Sequence, residues 1–162
     1  MKGQDGFTLV ELSVVIALIV ILSTVATLAF MQLNEKYQVE SLTKDIYTTL
    51  MKARNDALMT RESWIVDLTK PLRLETGPDA DENGTMDRVA GIVQSPRFNM
   101  VLLSGDPSIV FDRRGLVNQD QVLTIGRGQI RFGATPVMDC LDIARTRINI
   151  GRIEAGGACV QR

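Results

Sequence analysis

The stretch richest in ligating side chains is Asp79-Ala80-Asp81-Glu82-Asn83-Gly84-Thr85-Met86-Asp87. It reads D-x-D-x-N-G-x-x-D, the first nine positions of a calcium loop, in which alternate oxygens wrap a hard cation and the glycine allows the sharp bend. Asp79, Asp81, Asn83 and Asp87 would supply side-chain oxygens and Thr85 a backbone carbonyl. The place of the usual bidentate glutamate falls on Ala90, which cannot ligate, so a further ligand must come from elsewhere, with Glu75 as the candidate. Calcium here would stabilise a loop rather than catalyse anything. The alternative is an acidic, solvated turn.

Other chemistry is narrowed by what the composition lacks. The chain has 162 residues, a formal net charge of −1 and no histidine. That excludes Ser-His-Asp and Cys-His catalysis and histidine-based zinc sites. Bulk charge gives no reason to expect strong non-specific nucleic-acid binding. No nucleophile–base pair or phosphate-cradling glycine loop stands out, so an enzyme is not expected. Two cysteines, Cys140 and Cys159, lie in the last quarter. Outside the cytoplasm they would form a disulfide, worth about 3 kcal/mol by loop-closure arguments; in the cytosol they would be free thiols.

The N-terminus decides the compartment. Residues 7–30 are overwhelmingly apolar and contain neither proline nor glycine. As a helix they span roughly 36 Å, enough to cross a bilayer with some tilt. Glu11 sits inside this run, near its start. An acid in an apolar span is costly and is a functional residue by default. It needs a cationic partner, and a free amino group on a neighbouring helix would serve if the preceding residues were removed. Those residues, 1–6, are short and polar and include Lys2, which favours the cytoplasmic side.

The run Gly6-Phe7-Thr8-Leu9-Val10-Glu11-Leu12 resembles the processing signal of type IV pilins and type II secretion pseudopilins. The resemblance implies that a prepilin peptidase cuts between Gly6 and Phe7 and methylates Phe7. It also implies that Glu11 neutralises the amine of an adjacent subunit during assembly. The implied partners are other pilin or pseudopilin subunits, the peptidase, an inner-membrane assembly platform and membrane lipid. The implied location is the inner membrane, single-pass, with the C-terminal domain in the periplasm, and then the filament. Many major pilins carry a proline late in the apolar helix; the first proline here is Pro71, which leans toward a minor pilin or pseudopilin.

The elements that must carry these groups follow from periodicity. Leu33, Tyr37, Leu42, Ile46, Leu50, Ala53 and Ala57 recur at helical spacing, with Glu35, Lys36, Glu40 and Lys44 among the polar residues filling the gaps. This predicts an amphipathic continuation over 31–60, whose apolar stripe packs under a sheet. Residues 61–162 then read as a β-rich globular domain. Strands are predicted at 64–68, 99–103, 108–111, 122–125, 129–132 and 145–150, with turns at 105–107, 114–115, 126–128 and 151–152. The predicted class is α+β: a pilin fold in which one long helix packs on an antiparallel sheet domain.

Two phrases, Val110-Phe111-Asp112-Arg113-Arg114-Gly115 and Arg147-Ile148-Asn149-Ile150-Gly151-Arg152-Ile153, resemble the C-terminal domain of H-type pseudopilins and FimT/FimU-type minor pilins. Some FimT-like pilins bind DNA through a Gly-Arg-x-Arg phrase. Here it reads Gly151-Arg152-Ile153-Glu154, with an acid in the last place. Arg145, Arg147 and Arg152, with Arg162, are the candidate phosphate contacts, and ordinary solvated arginines are the alternative.

Overall fold

The computed structural model describes residues 8–103, 106–126, 128–131, 133–154 and 157–161. A single helix, α1, runs Leu9–Thr60. Thr8 is its N-cap, extended at φ −78° and ψ 150°, and its hydroxyl accepts the Glu11 N–H at 3.2 Å. Thr8 and Glu11 therefore stand in capping-box spacing, with the acid in the first turn where the helix dipole favours it. At the other end Arg61 adopts the left-handed conformation (φ 58°) and its N–H closes on Ala57 O at 3.0 Å.

The two halves of α1 meet different surroundings. From Leu9 to Leu33 every described side chain is exposed, and the helix here is apolar and long enough to cross a membrane, with a mean hydropathy of 2.8 over an 18-residue window. Its hydroxyls are satisfied within the helix: Ser13 donates to Val10 O, Ser23 to Ile19 O, Thr24 to Ile21 O and Thr27 to Ser23 O, each at 2.7 Å. Such back-bonding lets Ser and Thr sit in an apolar medium without an unmet donor. Beyond it a stripe of Val39, Leu42, Thr43, Ile46, Leu50, Ala53 and Ala57 is buried. Leu33 and Tyr37, expected on that stripe, are 47% and 60% exposed. The stripe begins instead at Glu35 and Val39, about half a turn round from Leu33 and Tyr37, and runs on through the expected Leu42, Ile46, Leu50, Ala53 and Ala57.

Among the described residues nine strands follow, in two antiparallel sheets. The first holds β1 (Ser63–Lys70), β2 (Arg73–Asp79), β3 (Gly91–Gln94) and β5 (Ser108–Phe111), in the order β3-β2-β1-β5. The second holds β4 (Met100–Leu102), β6 (Gln121–Ile125), β7 (Cys140–Ile143), β8 (Ile148–Ile153) and β9 (Cys159–Gln161), in the order β4-β6-β7-β8-β9. The helix stripe and the inner residues Leu74, Ile109, Phe111, Leu123, Leu141 and Ile143 form one core, each of these six 0% exposed. Each such burial is worth about 1.5–3 kcal/mol.

Several predicted strands are corrected. Gln129 to Arg131 form no strand: Gln129 Oε1 accepts Asn99 N–H, and Arg131 N–H is taken by a helix carboxylate; Phe132 lies outside the described residues. Arg145-Thr146-Arg147 make the β7–β8 turn, closed by Ala144 N–H to Arg147 O at 2.9 Å. The turn expected at Gly151–Arg152 is the middle of β8. Gly151 is required there because β9 lies so close: a Cβ would stand 2.5 Å from Val160 O and 2.8 Å from Cys159 Sγ. The expected turn at Arg114–Gly115 is present, with Gly115 at φ +66°.

Candidate functional site

The first candidate is the start of α1. Glu11 is in the first turn, on an exposed apolar surface, with its own N–H held by Thr8. Gly6 and Phe7, the expected processing residues, lie outside the described residues.

A second glutamate lies 24 residues further along, about 36 Å up the helix. Glu35 is 1% exposed. Its carboxylate receives the guanidinium of Arg97 and the backbone N–H of Arg131 at 3.1 Å. Arg97 also lies over the Phe98 ring, 5.3 Å from its centroid. A buried carboxylate is tolerated only when paired and hydrogen-bonded. Sequence reasoning placed Glu35 among the polar gap-fillers. The one available signal was its position four residues before Val39, in line with the buried stripe.

The acidic loop folds on its own donors. Asp79, at the end of β2, is 3% exposed and accepts Asn83 N–H and Gly84 N–H, each at 3.0 Å. Asp81 accepts Asn83 Nδ2 at 2.7 Å, Asn83 Oδ1 accepts Thr85 N–H at 2.7 Å, and Asp87 accepts Ala80 N–H at 2.8 Å. Glu82 turns away at φ 55° to pair with Arg113 at 2.7 Å. Glu75 does not join the loop: it is held by Lys70 at 3.3 Å and by Arg73, four residues and about 13 Å down β2 from Asp79. Among the described residues no three Asp, Glu, His or Cys side chains form a group that could hold a metal ion. In this arrangement the loop's oxygens serve backbone N–H groups instead of converging on one point.

The candidate DNA-contacting arginines are separated. Arg145 and Arg147 sit exposed on the β7–β8 turn, while Arg152 is near the far end of β8, about 17 Å from Arg147 along the strand. Arg152 faces Asp139, whose Oδ1 accepts Ile153 N–H at 2.7 Å. Partial burial raises the Asp139 carboxyl above its ordinary value, opposed by that hydrogen bond and by the Arg152 charge. Arg162 lies outside the described residues. Cys140 and Cys159 form a disulfide that links β7 to β9, the two strands flanking β8 in the second sheet, with Cα atoms 5.9 Å apart.

The type IV minor pilin FimU of Pseudomonas aeruginosa (strain PAO1) superimposes with a TM-score of 0.58 at 17% identity, covering 78% of this chain and 96% of that one. The chain has the minor-pilin fold. A second crystal form of FimU gives a TM-score of 0.56 at 18% identity over 75% of this chain and 97% of that one. The minor pseudopilin EpsH of the Vibrio cholerae type 2 secretion system gives 0.51 at 14% identity over 70% and 95%. Residues 1–27 match the prokaryotic N-terminal methylation motif. No curated protein sequence matches the chain. The chain thus combines the prokaryotic N-terminal methylation motif with a pilin fold.

Proposed function

We propose that this chain is a minor subunit of a type IV pilus or a type II secretion pseudopilus. A prepilin peptidase cuts it after Gly6 and methylates Phe7. The exposed half of α1 holds it in the inner membrane with residues 61–162 in the periplasm, and an assembly platform draws it into the filament. The reading is carried by one observation: an apolar helix surface with no cover from its own domain, bearing a single acid, Glu11, in its first turn. Such a surface is stable in lipid or against like helices. The acid is compensated when the new amino terminus of a neighbour meets it. Intact mass and N-terminal sequencing of the membrane-extracted protein test the reading. A chain beginning at methylated Phe7 supports it, whereas one beginning at Met1 leaves only a membrane-anchored domain. Glu11→Ala should still insert but fail to incorporate into filaments, and normal incorporation would remove the assembly role of Glu11. Calcium is a separate proposal: a rise in melting temperature on adding calcium, lost in Asp81→Asn, would support a cation in the 79–87 loop.

A further inference from the structure

Four strands end a sheet: β3 and β5 in one, β4 and β9 in the other. The edge of β5 is bridged where Phe111 meets Val117, and β4 is met by the β1–β2 turn, where Met100 N–H donates to Pro71 O at 2.6 Å. β9 has only three residues. Among the described residues no strand or bridge lies beyond β3. Ser95 N–H donates to Leu72 O at 2.9 Å, and the register continues through Val93↔Leu74 and Ile92↔Glu75. Peptide groups in an antiparallel strand point alternately to either side. Ile92 and Gln94 therefore turn their N–H and C=O groups away from β2. Edge strands are commonly blunted by charge, proline or a short run. Gly91–Gln94 has no charged residue and no proline, and the edge extends backward to Asp87, whose N–H still reaches Pro78 O at 2.9 Å.

The flank of α1 beside this edge is hollowed twice. Gln38, Ser41 and Asp45 face residues Gln94 to Phe98 across about 470 Å³. Thr49, Lys52 and Asp56 face Ala90, Gly91 and Ile92 across about 200 Å³. These six helix residues are spaced by three or four and make one stripe. Arg97, seated on Glu35, fixes the wall of the larger hollow. Asp45 and Asp56, one at each hollow, have no ion pair among the described residues.

We propose that β3 and this flank of α1 form a docking groove for an extended segment of a neighbouring filament subunit. The segment adds as a strand beyond β3, bonding to the outward peptide groups of Ile92 and Gln94. Its helix-facing side chains enter the hollows, and a basic one meets Asp45 or Asp56. These acids are about 16 Å apart along the helix, the span of about five extended residues. The proposal rests on the assembly reading above.

The test uses the full-length protein in its own membrane. Ile92→Pro removes an outward N–H and no bond to β2. It should be processed and melt as the parent does, yet incorporate about five- to tenfold less, as expected for losing one or two interface hydrogen bonds. A photo-crosslinking residue at Gln94 should capture an extended segment of another subunit, identified by mass spectrometry. Parental incorporation of Ile92→Pro, or crosslinks confined to lipid or the same chain, would overturn the proposal. Should Ile92→Pro not fold, the Gln94 crosslink decides alone. Glu11→Ala, run alongside, separates the two ideas. If the parent itself never incorporates, the assembly reading has failed; if the parent incorporates and Glu11→Ala does not, while Ile92→Pro does, only the groove has failed.

Discussion

Two glutamates on one helix have opposite surroundings. Glu35 is enclosed and receives Arg97 and the Arg131 N–H from its own domain. Glu11 is exposed on an apolar surface, and among the described residues no side chain reaches its carboxylate. The difference teaches that residue type does not assign a role; what the fold supplies around the carboxylate does. An acid whose cation comes from the same chain stabilises that chain. An acid to which the described residues bring none stays available for another chain.

The comparison breaks most sharply at Glu35. Removing its partner with Arg97→Ala leaves a buried carboxylate without its cation. Chemical denaturation of the residue 31–162 region within the intact protein should then show a loss of about 3 kcal/mol. Glu11→Ala should leave the same transition unmoved, and a comparable loss there would erase the distinction. Next in size, Cys140→Ser with Cys159→Ser should cost about 3 kcal/mol or slightly less, and reductant should reproduce the shift only in the parent. Gly151→Ala should cost about 1–3 kcal/mol through the clash with Val160 O, since β9 must move. Thr8→Ala should cost about 1 kcal/mol of capping, read as fraying of the first turn by hydrogen exchange, with the domain unaffected.

The smallest effect is pH-dependent. Asp139 has its carboxyl raised in the folded state by partial burial, so the folded chain holds that proton more tightly than the unfolded one. Its contribution is favourable below the unfolded value and is lost as pH rises through the folded one. Asp139→Asn should therefore melt higher than the parent at neutral pH, and the gap should close on acidification below the ordinary carboxylate range.

Much of this was legible in the sequence, and the rest was hidden for physical reasons. The uninterrupted run from Phe7, the acid at Glu11 and the cysteine pair each carry a local signal, and α1, the α+β class and the disulfide follow from them. β2 was invisible because Arg73–Asp79 contains Gly77 and Pro78, which read as turn residues. Gly77 is in the strand because the following loop crosses it, and a Cβ would fall 1.8 Å from Arg88 O. β3, β7 and β9 have four residues or fewer, too short for a period to register. Glu35 was hidden because its partners are 62 and 96 residues away. The arginines of 145–152 suggested a patch, but a hairpin turn places two at one end and the third at the other.

α1 contains no proline or glycine from Leu9 to Thr60, so it behaves mechanically as one stiff lever with its fulcrum at Glu35. The arm from Glu35 to Leu9 is about 39 Å, so a tilt of about 5° at the fulcrum displaces the tip by about 3 Å, the whole reach of a hydrogen bond. Alignment at the far end of the rod thus depends on how firmly Arg97, the Arg131 N–H and the buried stripe beyond them hold it where it leaves the domain.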